Sequence, residues 1–152
     1  MLAVAHAFET FGHLAPCTLC LKERQIYWAA LAIAAGGAIL RLTPGRRAAT
    51  RIANLLLAVV FAYSALVAGY HAGAEWRWWP GPATCSGGAS HVANLTAFLN
   101  GAPAAIPSCD KAAWIFLGLS MAGWNAVISV ALTVLSTLAV AQGKPTERAA
   151  PW

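Results

Sequence analysis

Four cysteines carry the obvious chemistry of this 152-residue sequence: Cys17 and Cys20, spaced as C-x-x-C, and Cys85 and Cys109, far apart in a stretch of small and polar residues. A C-x-x-C pair cycles between dithiol and disulfide, and two pairs can pass electrons between them by thiol–disulfide exchange. Four cysteines allow three pairings. Three chemistries stand open: two loop-stapling disulfides, a zinc site built on the C-x-x-C, or a redox relay. Cys85 and Cys109 lack the short spacing of zinc ligands, so no metal is expected. Local context favours redox work. Pro16 precedes the motif and Leu21–Gln25 opens an apolar segment, so Cys20 is expected at or near a helix N-terminus, where free backbone N–H groups and the helix dipole stabilise a thiolate. Arg24 lies one turn deeper on the same face. A cation just inside a membrane boundary is costly unless paired. It either balances negative charge at Cys20 or on an electron acceptor, or it snorkels toward headgroups with Lys22.

The elements that must position these residues are apolar. Hydrophobic residues make up 59% of the chain and charged ones only 10%, with a mean hydropathy of +0.62. Soluble domains run at about a quarter charged, so the expected solvent is lipid. Four apolar runs follow, at 2–14, 21–40, 52–70 and 112–140, and the expected fold is an all-α, four-helix transmembrane bundle forming one domain. The last three runs reach the roughly 20 residues that a hydrocarbon core about 30 Å thick requires. The first, about 13 residues, spans only about 20 Å. With no basic N-terminal region, and with Glu9 and His13 interrupting it, this run does not read as a signal peptide. A start upstream of Met1, or a span completed by bilayer thinning or tilt, is the expectation.

The net charge of +5 does not read as a nucleic-acid footprint, because the basic residues sit in short loops between apolar runs. Arg41, Arg46, Arg47 and Arg51 fill the loop 41–51, and Lys144 and Arg148 lie in the tail 141–152. The positive-inside rule puts both on the cytoplasmic side. The segments 15–20 and 71–111, with all four cysteines, then face outward. In a bacterial inner membrane that is the oxidising periplasmic side, where disulfides persist. Trp76, Trp78 and Trp79 fall where the third run emerges and read as interfacial anchors.

Three further features are placed by spacing. His6, Glu9 and His13 share one helical face of the first run. Glu9 points toward the pocket of the electron acceptor, as a cofactor-binding residue, or pairs with another helix. Within 90–101, Val92, Leu95, Phe98 and Leu99 recur at helical spacing between Ser90 and Gly101, which reads as a short amphipathic helix on the membrane surface. The sequon at Asn94 is taken as coincidence. Gly118, Ser120, Ala122 and Gly123 are small residues suited to close helix packing.

The segments APCTLCLKER, YHAGAEWRWWPGPATC and IPSCDKAAWIFLGLSMAGWN together resemble, in order and sidedness, the disulfide bond formation protein B (DsbB) family. The resemblance covers nearly the whole chain. It implies a membrane oxidoreductase that reoxidises a soluble, periplasmic, thioredoxin-fold dithiol partner (DsbA-like) and delivers the electrons to a quinone, ubiquinone or menaquinone. It further implies that Cys85 is attacked by the partner, that Cys109 is its loop mate, that Cys17 receives electrons from the loop pair, and that Cys20 faces the quinone. Arg24 matches the arginine that assists the quinone, and His71 falls near a histidine flanking that pocket. The first run begins closer to the cysteines than is usual in the family. Vitamin K epoxide reductase-like enzymes share the four spans and a C-x-x-C, but there the motif follows the loop cysteines, whereas here it precedes them. The alternative outside enzymology is a structural or assembly protein with two stapling disulfides.

Overall fold

The computed structural model describes residues 1–12, 16–42, 44, 46–82 and 109–142. Among these, four helices form: α1 (Leu2–Thr10), α2 (Thr18–Leu40), α3 (Arg46–Glu75) and α4 (Met121–Gln142). A two-stranded hairpin, β1 (Ile115–Phe116) and β2 (Leu119–Ser120), precedes α4. Helices α3 and α4 are long and apolar enough to cross a membrane. Helix α2 has 23 residues but carries Lys22, Glu23 and Arg24 in its first turns. Helix α1, at nine residues, covers about 14 Å, less than half a hydrocarbon core.

Burial is inverted relative to a soluble protein. Large apolar side chains face outward, Leu66 at 73% exposure and Val59 at 62%, while Ala58, Ser64, Ala68 and Ala72 are buried. Without a hydrophobic force between helices in lipid, small residues that let backbones approach and polar groups that bond across helices do the packing. Helix α3 is central, lying against both α2 and α4. A Cβ on Gly37 would stand 2.7 Å from the Ala53 Cβ, so glycine there sets the closeness of α2 to α3. The small residues Ala122 and Gly123 lie buried at the start of α4, as expected.

Several boundaries differ from the hydropathy reading, each for a local reason. Helix α3 runs five residues past Tyr70, because His71 and Glu75 find buried partners rather than water. It ends where the Trp78 N–H bonds back to the Gly73 carbonyl (2.9 Å). Trp79 then folds over the helix, donating from its indole to the Tyr70 carbonyl (2.9 Å) and stacking on the Tyr70 ring. The fourth helix starts at Met121, not 112. The apolar residues before it form the hairpin instead, its turn made by Leu117 (φ 52°) and Gly118 (φ 80°). Trp124 pins that turn by donating to the Phe116 carbonyl (2.9 Å). Thus Gly118 and Ser120 belong to the hairpin, and among the described residues this small β element is the exception to an all-α expectation. His13, Cys85, the sequon at Asn94, the amphipathic segment 90–101 and the tail 143–152 lie outside the described residues.

Candidate functional site

The C-x-x-C sits where the sequence puts it, at the start of α2, with Cys20 in the first helical turn as expected. Cys17 is the N-cap residue, with extended backbone (φ −74°, ψ 171°), and its Sγ accepts the Cys20 backbone N–H at 3.2 Å. Cys20 lies in the first turn, its Sγ 2.8 Å from that of Cys17. Both are thiols. The sulfur that receives the free helix N–H is therefore Cys17, not Cys20. The Cys20 thiol beside it holds the Cys17 thiol below its ordinary range, with the backbone N–H adding to the effect and burial opposing it. A thiol of lowered pKa is the better leaving group in exchange. Replacing Cys20 by alanine should move the Cys17 titration upward, read from the ultraviolet thiolate absorbance of reduced protein. An unmoved midpoint would mean that Cys20 does not share its proton with Cys17.

Cys109 packs directly on this pair. It is 1% exposed and forms a buried cluster with Cys17 and Leu19, flanked by Cys20. Its sulfur lies 4.0 Å from the Thr18 hydroxyl. Cys109 is disulfide-bonded. The structure thus brings three of the four expected cysteines together; the fourth, Cys85, is outside the described residues.

Behind the thiols runs a buried polar chain joining α2, α3 and α4. A carboxylate can only accept, so the His71 Nδ1–H donates to Glu23 Oε1 (2.8 Å). Asn125 Nδ2 donates to Glu23 Oε2 (2.7 Å), and the Tyr27 hydroxyl donates to Asn125 Oδ1 (2.8 Å). Ser129 lies 3.3 Å from the Tyr27 oxygen and donates to Ser64 (2.9 Å). Glu23, His71, Asn125, Ser129 and Ser64 are all buried. Polar groups at such depth are expensive unless bonded, and this chain satisfies them across three helices. With Nδ1 committed to Glu23, the other nitrogen of His71, Nε2, faces Cys17 Sγ at 3.6 Å and Glu75 Oε1 at 3.9 Å. That nitrogen is positioned to take a proton from the thiol.

Arg24 and Glu9 pair with each other across α2 and α1. Arg24 Nη2 also donates to the Ala5 carbonyl (3.1 Å). Arg24 thus fastens the short α1 to α2, and Glu9 is paired with another helix. Arg24 Nε is buried without a hydrogen-bond partner among the described residues. Beside it opens a cavity lined by Cys17, Cys20, Arg24 and His71 together with apolar residues such as Leu2, Val4 and Met121. Expected residues Cys17, Cys20, Arg24 and His71 thus converge on one cavity, and Glu9 stands behind Arg24. Glu23, Glu75, Tyr27 and Asn125, also on its wall, were not singled out by spacing. Glu23 had a signal of its own, since an ionisable residue within a span is a functional candidate, but its neighbour Arg24 carried the motif.

Thiols lining an apolar cavity, a buried imidazole beside them and a third, disulfide-bonded cysteine in contact are the groups that dithiol–disulfide exchange needs. No curated protein and no solved structure matches this chain. The family model for disulfide bond formation protein DsbB matches residues 1–139, and the chain belongs to that family, a family of membrane proteins that form disulfide bonds.

Proposed function

We propose that the chain is a multi-pass, four-span protein of the bacterial inner membrane, its cysteines facing the periplasm. There it reoxidises a thioredoxin-fold, DsbA-like dithiol protein and passes the electrons to a membrane quinone. One observation carries the reading: the Cys17/Cys20 pair lines an apolar cavity and packs against the disulfide-bonded Cys109.

The exchange begins when a thiolate of the partner attacks Cys85 of a Cys85–Cys109 disulfide, forming a mixed disulfide and releasing the Cys109 thiolate. Cys109 then attacks Cys17 of an oxidised Cys17–Cys20 pair and expels the Cys20 thiolate. The partner's second thiol releases the oxidised partner and frees Cys85. Cys85 attacks Cys109, and Cys17 departs. The departure is eased by the Cys20 N–H that Cys17 Sγ accepts. Two electrons now rest on Cys17 and Cys20 as thiols, with Cys109 again in a disulfide, the redox pattern of the structure.

The apolar wall and the orphaned Arg24 Nε–H fit a quinone, whose ring is apolar and whose oxygens accept hydrogen bonds. A bound quinone supplies a two-electron, two-proton acceptor. The chain's part is to hold the thiols at the cavity, to take the Cys17 proton on His71 Nε2, and to offer an N–H from Arg24. Purified protein given a reduced thioredoxin-fold dithiol should oxidise it in steady state only when quinone is added. Turnover that ignores quinone, or its complete absence with quinone present, would favour a membrane protein with stapling disulfides. In the same assay Arg24→His should raise the apparent KM for quinone more than it lowers kcat. An unchanged KM would confine Arg24 to fastening α1.

A further inference from the structure

The reduced site has a second competence that thiol exchange does not require. We propose that it binds a thiophilic divalent cation, Zn2+, through Cys17 Sγ, Cys20 Sγ and His71 Nε2, with the Glu75 carboxylate beside the fourth position.

The geometry comes first. The three donor atoms lie within 4.8 Å of one another. Zinc bonds of about 2.3 Å to sulfur and about 2.0–2.1 Å to nitrogen, at tetrahedral angles, put sulfur and nitrogen about 3.6 Å apart. Cys17 Sγ and His71 Nε2 stand 3.6 Å apart. The same construction separates two sulfurs by about 3.8 Å, so the thiols, at 2.8 Å, need to open by about 1 Å.

The surroundings supply the independent support. A metal-ligating histidine commonly gives its other N–H to a carboxylate, which fixes the ring and raises the basicity of the ligating nitrogen; Glu23 does this to His71 at 2.8 Å. Glu75, whose side chain is 6% exposed, keeps one oxygen 3.9 Å from Nε2. Its other oxygen is buried with no hydrogen-bond partner among the described residues, and the side chain lines the same cavity. A cation ligated beside it would answer that orphaned oxygen. Two thiolates and an imidazole select Zn2+ over the hard cations Mg2+, Ca2+ and Mn2+. Cys85 and Cys109 lack the spacing of zinc ligands, but here the third ligand, His71, comes from α3. Binding forms two Zn–S bonds and one Zn–N bond and releases two thiol protons, with no electrons exchanged. Both thiols are then withdrawn from exchange, so the ion acts as a reversible brake on the reduced protein.

The test uses full-length protein carrying Cys85→Ser and Cys109→Ser, reduced anaerobically, freed of reductant and titrated with Co2+. One Co2+ per chain should bind, with sulfur-to-cobalt charge-transfer bands and tetrahedral ligand-field bands that stoichiometric Zn2+ abolishes. The same protein with Cys17–Cys20 oxidised should show none. Glu23→Gln should weaken Co2+ by about 10–100-fold. Absence of charge-transfer bands in the reduced protein would overturn the inference, as would undiminished affinity in His71→Ala. If the variants fail to fold, alkylation of Cys17 and Cys20 in the reduced wild-type chain decides: Zn2+ should slow it at least about tenfold, and an unchanged rate refutes the site. Quinone-dependent turnover of metal-free wild-type protein, measured alongside, separates failure of this site from failure of the proposed function.

Discussion

Replacing Cys20 by serine is expected to reduce steady-state oxidation of the dithiol partner to background, leaving a single burst of at most one partner per chain. The reason is electron counting. Each partner gives two electrons, and a disulfide between Cys17 and Cys20 is what can accept them from the proposed loop pair at the membrane boundary. Serine removes that acceptor. The disulfide holding Cys109 can still oxidise one partner molecule, after which nothing regenerates it. Helix α2 should be undisturbed, because the cap interaction uses the residue-20 backbone N–H rather than its side chain. A rapid-mixing assay that separates burst from steady state checks both halves. Sustained turnover at the wild-type rate in this variant would end the two-pair relay.

Glu23→Leu is expected to cost about 1–3 kcal/mol of stability, measured by unfolding in mixed micelles, and to depress turnover as well. The carboxylate accepts from both His71 and Asn125, so leucine orphans two buried donors. In a soluble interior each orphan costs about 1–3 kcal/mol. Between membrane helices, measured bonds average about 0.6 kcal/mol with a maximum of about 1.7, because the unfolded chain in the bilayer also finds partners. The smaller scale applies here, and two bonds give the range stated. Asn125→Leu also removes two bonds, to Glu23 and from Tyr27, so it should cost a similar amount of stability while leaving His71 paired with Glu23. Turnover falls because nothing then fixes Nε2 toward Cys17. A Glu23→Leu protein as stable and active as the wild type would reduce the buried chain to incidental contacts.

What the residues alone revealed follows the range of the forces involved. The C-x-x-C at a helix start is legible because three adjacent signals, Pro16, the cysteine spacing and the apolar run after Leu21, act within one turn. Apolar composition likewise announces α3 and α4. Hydropathy misplaces their ends because it scores residues singly. His71 and Glu75 look like loop residues until buried partners are known. Trp114, Ile115 and Phe116 look like helix, although the left-handed turn at Leu117 and Gly118 closes a hairpin there. The bond from Glu23 to Asn125 joins positions 102 residues apart, a distance over which no spacing rule reaches. That Cys17 rather than Cys20 receives the free helix N–H follows from where α2 begins, at Thr18, which makes Cys17 the cap residue.

The burial of Cys109 against Leu19 and the thiol pair has a kinetic meaning. When two reacting groups are already held together, their reaction is unimolecular, and effective molarities in well-oriented systems reach about 10⁵ M or more. In the proposed relay the hand-off between the cysteine pairs would then be governed by local alignment, and dilution of the protein in the bilayer would leave it untouched. Dilution would act only on the encounters with the proposed soluble partner and lipid-borne acceptor. Each would be a two-body search, one in water and one in a plane, so the pool sizes of those two proposed carriers would set how electrons queue on either side of it.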